Sequence, residues 1–288
     1  MSKRTTEFLP PVTYQGGKGR LAAQIVETIG IPIAGRFYDL CCGSGAISVA
    51  AVERGQDPRR VTMVDLSPWG LFWKAIGDGS FSVEEFERVC SSVPTDPKRI
   101  KSHIEALYRA PVRAAMQVYD FLLLQAASLG GGAVWIDGSR WRGGGFRDYW
   151  LPTETSSRRS HVNPMMPMPE SIVERVRVLA KRMRGVEGTC ADIGQPGFSV
   201  PYVRGDVAYI DPPYVGTSKY GYKVDAVAIA SSLRIPCWVS EGRALSSEAL
   251  CLSTGRAKGG MTGNRKRAPN EEWLSAFGTQ KRASGDSR

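Results

Sequence analysis

Apolar positions along the chain recur with two periods, and each change of period marks an element. In residues 20–29, RLAAQIVETI, Leu21, Ile25 and Ile29 share one helical face, with Ala22 and Val26 beside them. Phe37 to Leu40 then reads as a short buried strand. Gly43-Ser44-Gly45 turns the chain into a second helical run, Ala46 to Arg54, which Gly55 ends. VTMVDLS at 61–67 predicts a second strand with Asp65 at its end. Strand, glycine turn, helix, strand and acid, in that order, open a Rossmann-like α/β unit.

The middle of the chain has a different character. Residues 82–125 read as helical, interrupted at Pro94, Pro97 and Pro111. Residues 128–164 combine Gly130–Gly132 and Gly143–Gly145 with Trp135, Trp141, Tyr149 and Trp150, and with Arg140, Arg142, Arg147, Arg158 and Arg159. That composition predicts an insertion with a mobile, aromatic and basic surface. The aromatics equally fit a small core with solvated arginines around it.

The α/β pattern then resumes. Residues 170–184 place Ile172, Val176, Leu179 and Met183 on one helix face. DVAYIDPPY at 206–214 is a buried strand running into a turn, and IPCWVSEG (235–242) and NEEWLSAF (270–277) read as later strands. Strands on both sides of a foreign middle section predict one α/β domain, residues 1–78 and 165–288, interrupted by a mainly helical module over 79–164. No internal repeat is visible.

Composition narrows the class. The chain has 288 residues, with 42% hydrophobic and 23% charged residues, as in a globular protein and unlike a disordered one. Its longest apolar runs, FLLL and PCWV, fall far short of the roughly 18 residues of a membrane helix. The opening MSKRTTEFLPP has no apolar core, so no signal peptide is expected. Cysteines 41, 42, 90, 190, 237 and 251 show no CxxC or CxxH spacing, and the histidines are His103 and His161 alone. Neither a metal site nor a disulfide framework is expected, and a reducing cytoplasm is the expected setting. The net charge of +10 points to a polyanionic partner. Basic residues also gather from Arg256 onward, at Lys258, Arg265, Lys266, Arg267, Lys281, Arg282 and Arg288.

Three strings carry candidate chemistry. The most specific is Asp211-Pro212-Pro213-Tyr214, directly after an apolar strand. Two prolines fix a rigid turn at the carboxyl end of that strand, where open α/β sheets bind ligands. The turn presents a carboxylate and an aromatic ring, a pair suited to an exocyclic amino group on a planar base. Acceptors at Asp211 and the Pro212 carbonyl would take both N–H protons and draw the nitrogen towards sp³ geometry, while Tyr214 stacks on the base. Alone, the string also fits a rigid loop with a capping Asp. The second string, Asp39-Leu-Cys-Cys-Gly43-Ser44-Gly45, lacks the third glycine of a dinucleotide fingerprint. With Asp65 about 20 residues on, it suits an adenosine-containing cofactor. The third, Tyr14-Gln15-Gly16-Gly17-Lys18, permits close backbone approach and brings a cation near a helix start.

YQGGKGRL, DLCCGSGA, VDLS and DPPY, in that order, resemble the Dam-like class of DNA adenine-N6 methyltransferases. The likeness covers most of the chain, with CWVSEG and KRAPNEEWLSAF where the family's late strands fall. It implies a Rossmann-like S-adenosylmethionine-dependent methyltransferase fold whose inserted module recognises the target. S-adenosylmethionine would lie over Gly43 and Gly45, with Asp65 on its ribose and Asp39 near its amine. Tyr14, Gly16, Gly17 and Lys18 would line the methionine side, and Asp192 the adenine. Asp211, Pro212, Pro213 and Tyr214 would hold a flipped-out adenine. Trp135, Arg140, Arg142, Arg147, Arg158 and Arg159 would contact DNA. Two positions depart from the family: Cys41 replaces an apolar residue, usually Phe, and the Arg–Asn-rich recognition segment is replaced by a Trp/Arg/Gly version. The second departure leaves the recognition sequence open. The same chemistry on cytosine N4 or on an RNA adenine, and a decayed DNA-binding protein on the same fold, are the competing readings. Monomer and dimer both stay open.

Overall fold

The computed structural model describes residues 10–146, 167–214, 224–256 and 269–278. Its helices are α1 (Ala22–Ile29), α2 (Ala46–Glu53), α3 (Pro68–Asp78), α4 (Val83–Ser91), α5 (Pro97–Arg109), α6 (Gln117–Ala127), α7 (Pro169–Arg182) and α8 (Ala226–Ser232). Its strands are β1 (Phe37–Leu40), β2 (Val61–Asp65), β3 (Val134–Asp137), β4 (Arg140–Gly143), β5 (Glu187–Cys190), β6 (Val207–Ile210), β7 (Cys237–Glu241), β8 (Ala249–Arg256) and β9 (Pro269–Phe277).

Seven strands form one sheet in the order β5-β2-β1-β6-β7-β9-β8. The five from β5 to β7 are parallel, and β9 runs antiparallel to both β7 and β8. Counted along the chain, those five take the 3-2-1-4-5 order of a doubly wound sheet. The expected mixed α/β, Rossmann-compatible architecture is therefore present. It departs from the all-parallel dinucleotide-binding sheet at the sixth place, which a reversed strand occupies.

Side-chain alternation assigns the two faces of the sheet. Phe37, Met63 and Tyr209 enter a large core with residues of α1, α2, α3, α6 and α7, including Ile25, Val49, Trp69, Phe121 and Val176. Tyr38, Leu40, Val64, Ala208, Ile210 and Val239 enter a smaller core on the other face, closed by Ala226 and Ala230 of α8 and by Ala191, Phe198 and Val200. The parallel strands are buried on both faces, which explains their continuous apolar reading.

In the middle of the chain, α6 is buried from Asp120 to Ala127 and packs against α3, α4 and α5. Its side chains join the large core, which runs unbroken from the sheet into this region. β3 and β4 form a separate antiparallel hairpin within the stretch that the sequence reads as an insertion with a mobile, aromatic and basic surface. Val134, Ile136 and Trp141 turn inward, and Trp141, 2% exposed, joins the large core rather than a small core of its own. Trp135, Asp137, Arg140 and Arg142 share the outer face.

One buried polar residue joins the hairpin to the chain's opening. Gln125, fully buried on α6, accepts a hydrogen bond from Val134 N at 3.1 Å. Its Nε2 donates to the carbonyls of Thr13, Gly131 and Gly132 at 3.4, 3.3 and 3.1 Å. Gln15 N adds a bond to the Gly131 carbonyl at 2.9 Å. Among the described residues no helix is long and apolar enough to cross a membrane.

Candidate active site

β1, β2 and β6 lie side by side and parallel, so Leu40, Asp65 and Ile210 end at the same edge of the sheet. The strand order reverses between β1 and β6, which splays the following loops apart and leaves a crevice. A cavity of about 1300 Å³ opens there. That exceeds the ~300–1,000 Å³ of a usual small-molecule pocket and gives room for two bound groups.

The glycine turn forms one wall. Gly43 N donates to Asp65 Oδ2 at 2.8 Å, and Ser67 donates to Oδ1 through its N (2.8 Å) and Oγ (2.6 Å). These three bonds fix the Asp65 carboxylate and leave lone-pair capacity towards the cavity it lines. Burial raises its pKa against the pull of those bonds. Gly43 and Gly45 have separate tasks. Gly43 lines the cavity beside the Tyr14 ring and accepts from Trp73 Nε1 at 2.9 Å. Gly45 does not line it; at φ 80° it lies under Trp73, where a Cβ would stand 2.2 Å from the indole. The turn also holds Cys41 at φ 66°, the one described non-glycine residue in the left-handed region.

Asp39 lies deeper, 1% exposed, and lines the same cavity. Ser48 Oγ donates to its Oδ2 at 2.6 Å, while Oδ1 has no hydrogen-bond partner. Burial pushes the carboxyl up to about 7 despite the Ser48 bond, with Asp211 and Asp65 adding to the rise. Asp192, in the loop after β5, lines the cavity and caps its own turn through Gly194 N at 2.8 Å.

The opposite wall is the Asp-Pro-Pro-Tyr turn. Asp211, Pro212, Pro213 and Tyr214 all line the cavity, as do Tyr14, Gly16, Gly17 and Lys18 from the chain's opening loop. Tyr14 is braced edge-to-face on Trp69, with ring centroids 5.6 Å apart. Sequence reasoning assigns Lys18 to a cofactor; the structure pairs it with the turn, Nζ lying 2.8 Å from Asp211 Oδ1. The same ammonium is 3.6 Å from Glu272 Oε1 and 4.6 Å from the Tyr214 ring centre. The Tyr214 hydroxyl donates to Glu272 Oε1. Burial pushes Asp211 up to about 6 against the pull of Lys18, with Glu272 and Glu241 reinforcing the rise. Burial works to lower Lys18, but Asp211 and Glu272 outweigh it and hold the ammonium above its ordinary value. Asp211 and Lys18 thus form a buried ion pair.

Sequence reasoning took Glu272 only as part of a strand. Its clue is alternation: it shares a face of β9 with Leu274, which is fully buried, so its carboxylate points inward. Arg20 and Arg175 also line the cavity without having been anticipated. The proposed DNA contacts Trp135, Arg140 and Arg142 lie away from this cavity, on the outer face of the hairpin, where Arg142 Nε is 3.3 Å from Asp137. Arg147, Arg158 and Arg159 fall outside the described residues, as does the basic stretch after Arg256.

No known protein-family model matches the chain, and no curated protein matches it either.

Proposed function

We propose that the chain is a DNA methyltransferase that moves a methyl group from S-adenosylmethionine to the exocyclic N6 of adenine. One observation carries the reading. A single cavity joins the glycine turn and its acid-ended strand to the Asp-Pro-Pro-Tyr turn, so a cofactor and a planar base can meet across it. The acids support the choice of cofactor. Asp39, Asp65 and Asp192 line the glycine-turn side, a set that repels a polyphosphate and suits a sulfonium, an ammonium and ribose hydroxyls. The partnerless Asp39 Oδ1 needs a donor, and a bound amine supplies one. When bound, S-adenosylmethionine supplies an electrophilic methyl group.

The chain's own groups prepare the acceptor. An amino nitrogen inside a duplex is out of reach, so the base must leave the stack. Asp211, ion-paired to Lys18, accepts an amino N–H, with the Pro212 carbonyl beside it as a second acceptor. Lys18 fixes the carboxylate and sits over one face of the Tyr214 ring, and the base would stack on the other face. Rate then comes from positioning and from polarising the amino group. On the hairpin, Arg140 and Arg142 suit phosphates and Trp135 a base.

Labelled methyl transfer to unmethylated DNA, followed by nucleoside mass analysis, tests the reading. N6-methyldeoxyadenosine is the expected product. Asp211→Ala is expected to abolish transfer while cofactor binding persists. Turnover retained in that variant, or cofactor binding with no product on any DNA, refutes it.

A further inference from the structure

Glu272 comes from the antiparallel β9, far from every motif that points to chemistry, yet its carboxylate ends in the cavity. Its backbone pairs with Ser253 of β8, while the neighbouring Trp273 pairs with Glu241 of β7. The reversed strand thereby delivers an acid to the mouth of the parallel sheet. There Glu272 Oε1 receives the Tyr214 hydroxyl and faces the Lys18 ammonium, both in the low-exposure interior. A merely structural counter-ion for Lys18 is superfluous, because Asp211 already holds that ammonium at 2.8 Å. Asp211 instead gains a second carboxylate as a near neighbour, and like charges in a buried site oppose folding. Such an arrangement is characteristic of a site shaped for its chemistry.

We propose that Glu272 is a positioning residue of the base pocket: through the Tyr214 hydroxyl and the Lys18 ammonium it fixes the aromatic ring and the Asp211 carboxylate relative to one another. The inference rests on the methyl-transfer reading. The ring is held at its far end by Glu272, so stacking and amino-group contact stay in register. The groups facing Asp211 are Lys18, Glu272, Glu241, Asp39, Tyr209 and Tyr214. Of these, Glu272 touches both the cation and the ring.

Two substitutions separate charge from hydrogen bonding. Glu272→Gln keeps an acceptor for Tyr214 and removes the negative charge beside Asp211. The acid limb of kcat/KM is then expected at lower pH than in the wild type, with cofactor affinity unchanged. Glu272→Ala removes both, and kcat/KM is expected to fall by about ten- to a hundredfold, the usual effect of losing a hydrogen bond to a charged group. In a Tyr214→Phe background the same truncation should cost much less, because the shared contact is already gone. A readout free of turnover accompanies these: carboxyl carbon NMR of aspartate-labelled protein, with Asp211 assigned through Asp211→Asn. The Asp211 midpoint should fall in Glu272→Gln. An unmoved midpoint with additive losses overturns the proposal. A wild type that transfers no methyl group, but whose midpoint still moves in the variant, removes the proposed function and leaves the coupling of Glu272 to Asp211 standing.

Discussion

Asp39 holds the least comfortable carboxylate of the described chain, with one oxygen on Ser48 and the other partnerless. Its value of about 7 lies above the ordinary 3.8, so the native state binds its proton more tightly than the unfolded chain does. Stability from that proton is complete below about pH 4 and is lost as pH rises through about 7. Asp39→Asn should therefore raise the melting temperature of the ligand-free protein at pH 8, by a stabilisation on the order of 3 kcal/mol. Its advantage should narrow as pH falls towards 4, and its affinity for S-adenosylmethionine should drop. Thermal melts across pH, with a binding titration, check both halves. At this scale the sequence was legible wherever a turn concentrates chemistry. Asp39, Gly43, Asp65 and Asp211 sit at strand ends, where local residue order already implies a ligand edge. Glu272 was not legible in that way, because its partners Tyr214 and Lys18 lie about 60 and 250 residues away along the chain, distances over which residue patterns report nothing.

Among the elements, several that bury an apolar stripe announced themselves, whereas α3, which buries Trp69, Phe72, Trp73 and Ile76, went unanticipated, as did β8 and α8. α1, α2, α7 and the strands β1, β2, β6, β7 and β9 agree with the sequence reading to within a few residues. β5 did not, because Glu187-Gly188-Thr189-Cys190 has no apolar alternation; it is a strand by virtue of its pairing with β2. The β3–β4 hairpin was hidden by the glycines that flank and turn it and by the arginines of its outer face. That outer face has its own expected behaviour. Arg140→Ala and Arg142→Ala should each weaken DNA binding and reduce the slope of log affinity against log salt by about 1, while leaving cofactor binding intact. Fluorescence anisotropy over a salt series measures this. Unchanged slopes in both variants would remove the hairpin from the DNA interface.

For the whole molecule, the reversed β9 distinguishes this sheet from an all-parallel one, and the proposed cofactor differs from a dinucleotide in carrying no phosphate. The distinction has a direct measurement. At a hundred times its dissociation constant, S-adenosylmethionine should stabilise the protein by about 2.7 kcal/mol, a rise of about 5–10 °C in melting temperature. Nicotinamide dinucleotides and ATP should produce none. A shift with ATP alone would point to phosphate recognition and against the proposed cofactor.

The buried amide of Gln125 bears on how freely such a protein can acquire new targets. A hairpin that reads DNA is the natural part to exchange when specificity changes. Here its first residue and the wall carrying Tyr14 hang from the same side chain. Any replacement hairpin must therefore restore a donor for the amide oxygen and carbonyls for its nitrogen, or the wall carrying Tyr14 loses an anchor as well. On the proposed function, recognition and catalysis would share one anchor, and the outer face of the hairpin would be the part left to vary with the target sequence.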